Sequence, residues 1–347
     1  MNTESGLPPI EAMLYRQEGE ILVCELCAHY CRLKDGRVGI CGVRKRIGNK
    51  LYTLVYGKAI ASAIDPIEKK PFFHVLPGTR SFSIATIGCN FRCAFCQNWD
   101  ISQKRDVEAP GRDLPPKEVV RLAKQSGCQT VAYTYSEPTI SFEYTFDTAR
   151  LANEEGILSL YVTNGYMTQK MLRTFVPYLA AANVDLKGFD DKRYRRVMGA
   201  KLEPVLESIK EMKTLGIFLE VTTLVVPGLN DSEPELGKIA EFLASVDPQI
   251  PWHISRFHPD YQMTSTPPTP TETLLSTCRI GKKAGLQFVY VGNLPGNRFE
   301  NTTCPRCKTC LIERSGFRTV RVSLQNGTCP SCGYKIPGIF SSPASAG

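Results

Sequence analysis

The sequence contains no apolar run approaching the ~18 residues that a membrane-spanning helix needs. Its start, Met1 to Tyr15, shows no basic stretch leading into an apolar core, so no export signal is expected and the expected location is the cytoplasm. A large excess of one charge is also missing. The formal net charge is +8. Thiolate-bound metal would bring it to about +3, which leaves no strong electrostatic case for nucleic acid. The most informative absence is local. Cys89-Asn90-Phe91-Arg92-Cys93-Ala94-Phe95-Cys96 has Cys-x3-Cys-x2-Cys spacing and no fourth cysteine nearby; the next is Cys128.

What the chain does have is cysteine, fourteen in 347 residues. Twelve fall in three tight clusters, while Cys128 and Cys278 stand alone and are expected to be core thiols. In a chain with no export signal, clustered cysteines read as metal sites instead of disulfides. Three thiolates at 89, 93 and 96 can hold three irons of a cubane cluster. The fourth iron then stays open, as a reactive cluster requires and an electron-transfer cluster does not. A zinc knuckle one ligand short is the alternative, and structural zinc takes four ligands.

Cys24, Cys27, Cys31 and Cys41 form Cys-x2-Cys-x3-Cys-x9-Cys, which suits either zinc or a second cluster. His29 lies inside this group and is expected at the surface. Cys304, Cys307, Cys329 and Cys332 form two Cys-x2-Cys knuckles around β-rich stretches, Leu311–Glu313 and Thr319–Leu324, the pattern of a zinc ribbon. Cys310 is either a spare thiol there or a sign of a cluster.

The length allows several domains. Residues 1–79 read as a Cys-rich metal-binding module with an extended segment, Leu51 to Ala63. It ends in an irregular, Pro-rich stretch from Asp65 to Gly78 whose charges could be only a solvated loop. Residues 298–340 are the ribbon module. Residues 341–347 are a tail expected to be disordered. Between them, 80–297 alternates strand and helix. Expected strands are 81–88, 130–136, 158–163, 183–188, 218–226, 251–257 and 287–292. Expected helices are 116–126, 139–155, 168–180, 202–215, 232–247 and 270–284, the fifth opened by a Ser232/Glu235 capping box. Such repeats imply an α/β fold with a parallel sheet, helices outside, and closure into a complete or partial barrel.

The special residues fall at the C-terminal ends of expected strands, where (β/α) barrels carry their chemistry. They are the Cys89 loop, Glu137, Asn164, the pair Asp185 and Lys187 on one strand face, and His258. Tyr133, Tyr135, Arg256 and Tyr261 share that rim but are too generic to identify a substrate. Lys192 to Arg196 reads as a solvated helix start and not as an RNA contact.

Taken together, Cys24–Cys41, Asp65–Pro71 with His74, Cys89–Asn98, Ser136–Pro138, Asn183–Phe189, Glu220–Asp231 and the Cys304–Cys332 ribbon resemble the radical S-adenosylmethionine (SAM) enzymes of the AmmeMemoRadiSam system. These are related to pyruvate formate-lyase activating enzymes. The resemblance implies a radical SAM partial (β/α)6-type TIM barrel with small Cys-rich metal-binding modules at both ends. It implies a [4Fe-4S] cluster on Cys89, Cys93 and Cys96, SAM as co-substrate, and an adenine contact from the backbone around Phe95. By match to the family's Gly-Gly-Glu motif, Glu137 is the expected acceptor for the SAM ammonium. Asn164, Asp185, Lys187 and His258 are expected methionyl or ribose contacts. A reductant such as flavodoxin or ferredoxin, and Memo-type and AMMECR-type proteins, are the implied partners. Two departures stand out: Tyr135-Ser136 replaces the two glycines, and Thr222 occupies the place of an arginine. The expected activity is reductive cleavage of SAM to a 5′-deoxyadenosyl radical. The alternatives are a glycyl-radical-enzyme activase and a zinc-module binding protein with an inactive barrel.

Overall fold

A computed structural model describes residues 10–103, 111–294 and 296–341. Its centre is an eight-stranded mixed sheet. The strands are β1 (Ala61–Pro66), β2 (Arg80–Ala85), β3 (Thr130–Tyr133), β4 (Leu158–Thr163), β5 (Leu179–Asp185), β6 (Phe218–Val225), β7 (Trp252–Arg256) and β8 (Val289–Gly292). Strand order follows chain order from β8 to β1. All neighbours from β2 to β8 are parallel, and only β1 runs against β2. Parallel neighbours need crossovers, and helices supply them. The inner strands are apolar along almost their whole length because both faces are covered; Leu179, Ala181, Ala182 and Val184 of β5 are all buried.

The helices are α1 (Pro116–Gln125), α2 (Phe142–Glu154), α3 (Gln169–Phe175), α4 (Asp191–Met198), α5 (Glu203–Thr214), α6 (Glu233–Val246) and α7 (Thr271–Lys283). On α6 the stripe of Leu236, Ile239 and Leu243 is buried, as its spacing requires. The expected capping box is not formed. Ser232 makes no side-chain cap bond. Glu235 turns instead to the loop after β5, where it accepts from the Phe189 N–H at 2.8 Å and pairs with Arg193 at 2.8 Å. The helix expected over 168–180 stops at Phe175: Val176 still donates back to the Leu172 carbonyl, but Pro177 has no N–H with which to continue the ladder. Helix α4 begins where Lys192 to Arg196 read as a helix start, although no helix range was expected there. It is short, but Asp190 caps its start and Gly199, at φ +71°, ends it.

Both flanking sections are built into this core. The boundary placed near residue 79 falls inside a β-hairpin, with Ala61 opposite Ala85 and Pro66 opposite Arg80. The stretch from Asp65 to His74 is not a solvated loop: Asp65, Glu68, Lys70 and His74 are all buried. Charge at these positions is satisfied by partners and not by water. At the other end Thr302–Thr303, Cys310–Ser315 and Arg318–Val322 form a three-stranded antiparallel sheet, β9 to β11. Leu311, Ile312 and Ile336 from this section pack with Phe73, Phe288 and Tyr290. Residues 342–347, where the tail was expected, lie outside the described residues. Among the described residues, no helix is long and apolar enough to cross a membrane. Cys128 and Cys278 are buried, as expected of core thiols.

Candidate functional site

A cavity of about 540 Å³ opens where the parallel strands end. Cys89, Cys93 and Cys96, from the loop after β2, all line it, and no other cysteine does. The loop is held by its surroundings. The Arg92 N–H donates to the Met198 carbonyl at the end of α4, and the Gln262 N–H donates to the Ala94 carbonyl. Trp99 stacks on Tyr261 with centroids 5.3 Å apart. The Phe91 N–H points at the Cys89 sulfur from 3.3 Å, and the Ser102 hydroxyl lies 3.1 Å from that of Cys96.

Burial pushes the Cys93 thiol up to about 12 and Cys89 well above its ordinary value, the second with help from Glu137. Cysteine binds metal as the thiolate, so loading this site releases protons and weakens as pH falls. The set fits a cluster. Three soft donors converge on one cavity, within a pocket of the size that small-molecule sites occupy, roughly 300–1,000 Å³. The remaining space faces the cavity, free of a fourth cysteine.

Phe95, Glu137, Asn164, Asp185 and Lys187 line the same cavity. Lys187 Nζ pairs with Asp185 at 2.8 Å, although β5 ends at Asp185 and Lys187 lies in the loop just beyond it. Burial opposes the lysine's charge, but Asp185 and Cys93 more than offset it and raise Lys187. Glu137 is largely committed to the fold. Its Oε1 accepts from the Thr139 N–H (3.1 Å) and from the Thr139 and Thr163 hydroxyls (2.6 Å each). Its Oε2 accepts from the Asn164 N–H at 2.8 Å, and burial raises this carboxyl above its ordinary value. Asn164 donates through Nδ2 to Asn90 at 2.7 Å, with the Cys89 sulfur 3.8 Å away. His258 is exposed and takes a bond from Gln97, a cavity residue, at 3.1 Å.

The structure adds residues that sequence reasoning left aside. Lys70 is 2% exposed. Its Nζ lies 2.6 Å from Asp65, 3.2 Å from the Tyr135 hydroxyl and 4.2 Å above the Tyr135 ring. The Tyr135 hydroxyl also donates to Asp65. Burial, against the pull of Asp65, brings Lys70 down to about 8. Burial favours neutral Asp65, yet bonds from Lys70, Tyr135 and Lys69 hold it well below the usual carboxylate range. Tyr135 has φ +67°, a region that costs a bulky residue and that functional sites tolerate. The only advance signal was the tyrosine standing where glycine was expected, since glycine adopts that backbone freely.

The C-terminal quartet is a different kind of site. Cys304, Cys307, Cys329 and Cys332 bring all four sulfurs within 4.8 Å of one another, with two pairs at 3.5 Å. A tetrahedral ion with metal–sulfur bonds of about 2.3 Å sets sulfurs about 3.8 Å apart, so the four fit one ion. Hydrogen bonding to Thr309 draws Cys307 down to about 6, ready as a thiolate. Cys310 stays outside the quartet, nearest the Ile312 carbonyl at 3.9 Å.

The family model of the radical SAM superfamily matches residues 83–240. An uncharacterized protein of Methanocaldococcus jannaschii is 44% identical over 330 residues, covering 94% of this chain and 98% of that protein. The pyruvate formate-lyase-activating enzyme of Clostridium pasteurianum is 24% identical, over 49% of this chain and 71% of its own. GTP 3′,8-cyclase of Haemophilus influenzae is 27% identical, over 53% of this chain and 52% of its own.

Proposed function

Because residues 83–240 match the radical SAM superfamily, we propose that this chain cleaves SAM reductively at a [4Fe-4S] cluster and directs the resulting radical at a substrate bound in the rim cavity. The observation that carries this reading is the convergence of Cys89, Cys93 and Cys96, alone among the cysteines, on that cavity. Open strand edges at β1 and β8 support reading the sheet as a partial barrel. When bound, the cluster and SAM supply the chemistry: one electron enters the sulfonium and the C5′–S bond breaks, giving methionine and a 5′-deoxyadenosyl radical that abstracts hydrogen.

The chain's own residues bind, orient and shield. Asp185 and Lys187 offer both signs of charge to the methionyl ammonium and carboxylate. Glu137 Oε2 holds a single donor and keeps acceptor capacity for the ammonium. Backbone beside Phe95 meets the adenine, and His258 contacts SAM through the cavity edge. Holding the sulfonium against the electron donor turns transfer into an effectively unimolecular step. The wall of Lys70 and Tyr135, backed by Asp65, faces the substrate. The C-terminal quartet holds zinc as a structural ion. The electron comes from a low-potential donor such as flavodoxin or ferredoxin. Cellular partners are Memo-type and AMMECR-type proteins, as in the AmmeMemoRadiSam system, and the working place is the cytoplasm, where the fourteen free thiols stay reduced.

A second reading, activation of a glycyl-radical enzyme, is favoured by the likeness to pyruvate formate-lyase-activating enzyme. Protein purified without oxygen, then given reductant and SAM, should be brown and release 5′-deoxyadenosine. Colourless, zinc-only protein would leave only a binding module with an inactive barrel. Mixing with glycyl-radical enzymes and seeking the EPR doublet of a glycyl radical separates the activase from the small-molecule reading.

A further inference from the structure

We propose that Cys24, Cys27, Cys31 and Cys41 hold a second iron–sulfur cluster in contact with the Cys89 loop, and not a lone zinc ion. This depends on the proposed function only for the identity of its neighbour. The two quartets differ in spread. Among the described residues, Cys304 and its partners are the only group of three or more possible ligands drawn within 4.8 Å. No three sulfurs of the N-terminal quartet come so close, although the four residues form one site. The sulfurs of Cys31 and Cys41 lie 3.6 and 3.8 Å from the point a Gly39 β-carbon would occupy. The Cys24 N–H bonds the Cys31 carbonyl at 3.0 Å, and the Ile40 N–H donates to the Cys31 sulfur at 3.4 Å. Thiolates on separate irons of a cubane stand farther apart than thiolates on one ion. The Cys89 loop shows the same wider layout.

Arg44 marks the quartet as a metal site. It is 1% exposed and feels the charges of Glu143, Cys24 and Cys41. Nη1 bonds Glu143 and Nη2 bonds the Met13 carbonyl, while Nε has no acceptor. An N–H buried without an acceptor is costly. Four thiolates loaded with metal supply both the acceptor and the countercharge, while the spread of the sulfurs favours a cluster over a single ion.

The two sites touch by two routes. Gly88, next to Cys89, has φ +91°, and a β-carbon there would fall 2.7 Å from the Cys41 carbonyl oxygen. Only glycine permits that approach. On the second route, His29 Nε2 lies 2.8 Å from the carbonyl oxygen of Asn90. A cluster in the N-terminal quartet is thus placed to exchange single electrons with the Cys89 site, refilled by a low-potential one-electron donor.

The test uses full-length protein loaded without oxygen, beside a Cys89→Ala/Cys93→Ala/Cys96→Ala variant. The wild type should carry about eight irons and eight acid-labile sulfides, and the variant about four of each. A folded variant with no sulfide and a second zinc ion would overturn the proposal. Electron-spin relaxation of the reduced wild type should be faster than that of the variant, because the clusters are coupled; identical relaxation would overturn the contact. Failure of SAM cleavage with eight irons retained would sink the proposed function and leave this inference standing.

Discussion

At the C-terminal end four sulfurs face one another within 4.8 Å. At the rim of the sheet three sulfurs face a cavity. Both groups consist of cysteines on tight loops, and both need thiolates. The first closes the coordination of an ion with protein atoms alone, the pattern of a structural site. The second leaves open space on its cavity side. Ligand count and what the ligands point at, more than ligand type, separate a scaffold site from a reactive one.

That contrast can be broken in order of expected effect. Cys93→Ala should remove about four irons per chain and reduce 5′-deoxyadenosine release to background, while the zinc content stays; iron analysis and nucleoside chromatography check both. Cys304→Ser should do the reverse. It should lose the ion and on the order of 3–5 kcal/mol of stability, read by thermal denaturation, while cleavage at the Cys89 site persists.

The attachment of the closed module to the core is tested by His74. Its ring meets the Pro337 carbonyl at 2.7 Å and the Tyr290 hydroxyl at 2.6 Å. Burial brings it down to about 4, against about 6.5 when unfolded. The unfolded chain therefore binds the proton first as pH falls. Stability should drop between pH 6.5 and 4, by up to roughly 3 kcal/mol from this group. His74→Gln should flatten that part of the pH profile in chemical denaturation. The smallest effect is expected for Lys187→Met, which leaves Asp185 unpaired and should weaken SAM binding about tenfold, close to 1.4 kcal/mol; titration of the loaded protein measures it.

Much of this was legible in the chain. Periodicity located six strands of the sheet closely, but β5 begins at Leu179 inside the expected helix 168–180, and β1 runs beyond a segment read only as extended to Ala63; residue spacing singled out the Cys89 loop and the C-terminal quartet. The pairing of Asp185 with Lys187 was expected from strand alternation, although β5 ends at Asp185 and Lys187 lies in the loop that follows. What escaped was long-range partnership. Nothing local shows that Asp65 and Lys70 fold back onto Tyr135 from beyond a presumed boundary, or that Glu235 leaves its cap to serve Arg193. Charged residues in a Pro-rich stretch look solvated until their distant partners are known.

The central claim is an open coordination position beside the three thiolates. EPR of the reduced protein with and without SAM labelled with nitrogen-15 at its amine addresses it directly. The account predicts that SAM changes the cluster signal and adds coupling from the label. An identical spectrum in the presence and absence of SAM would contradict it.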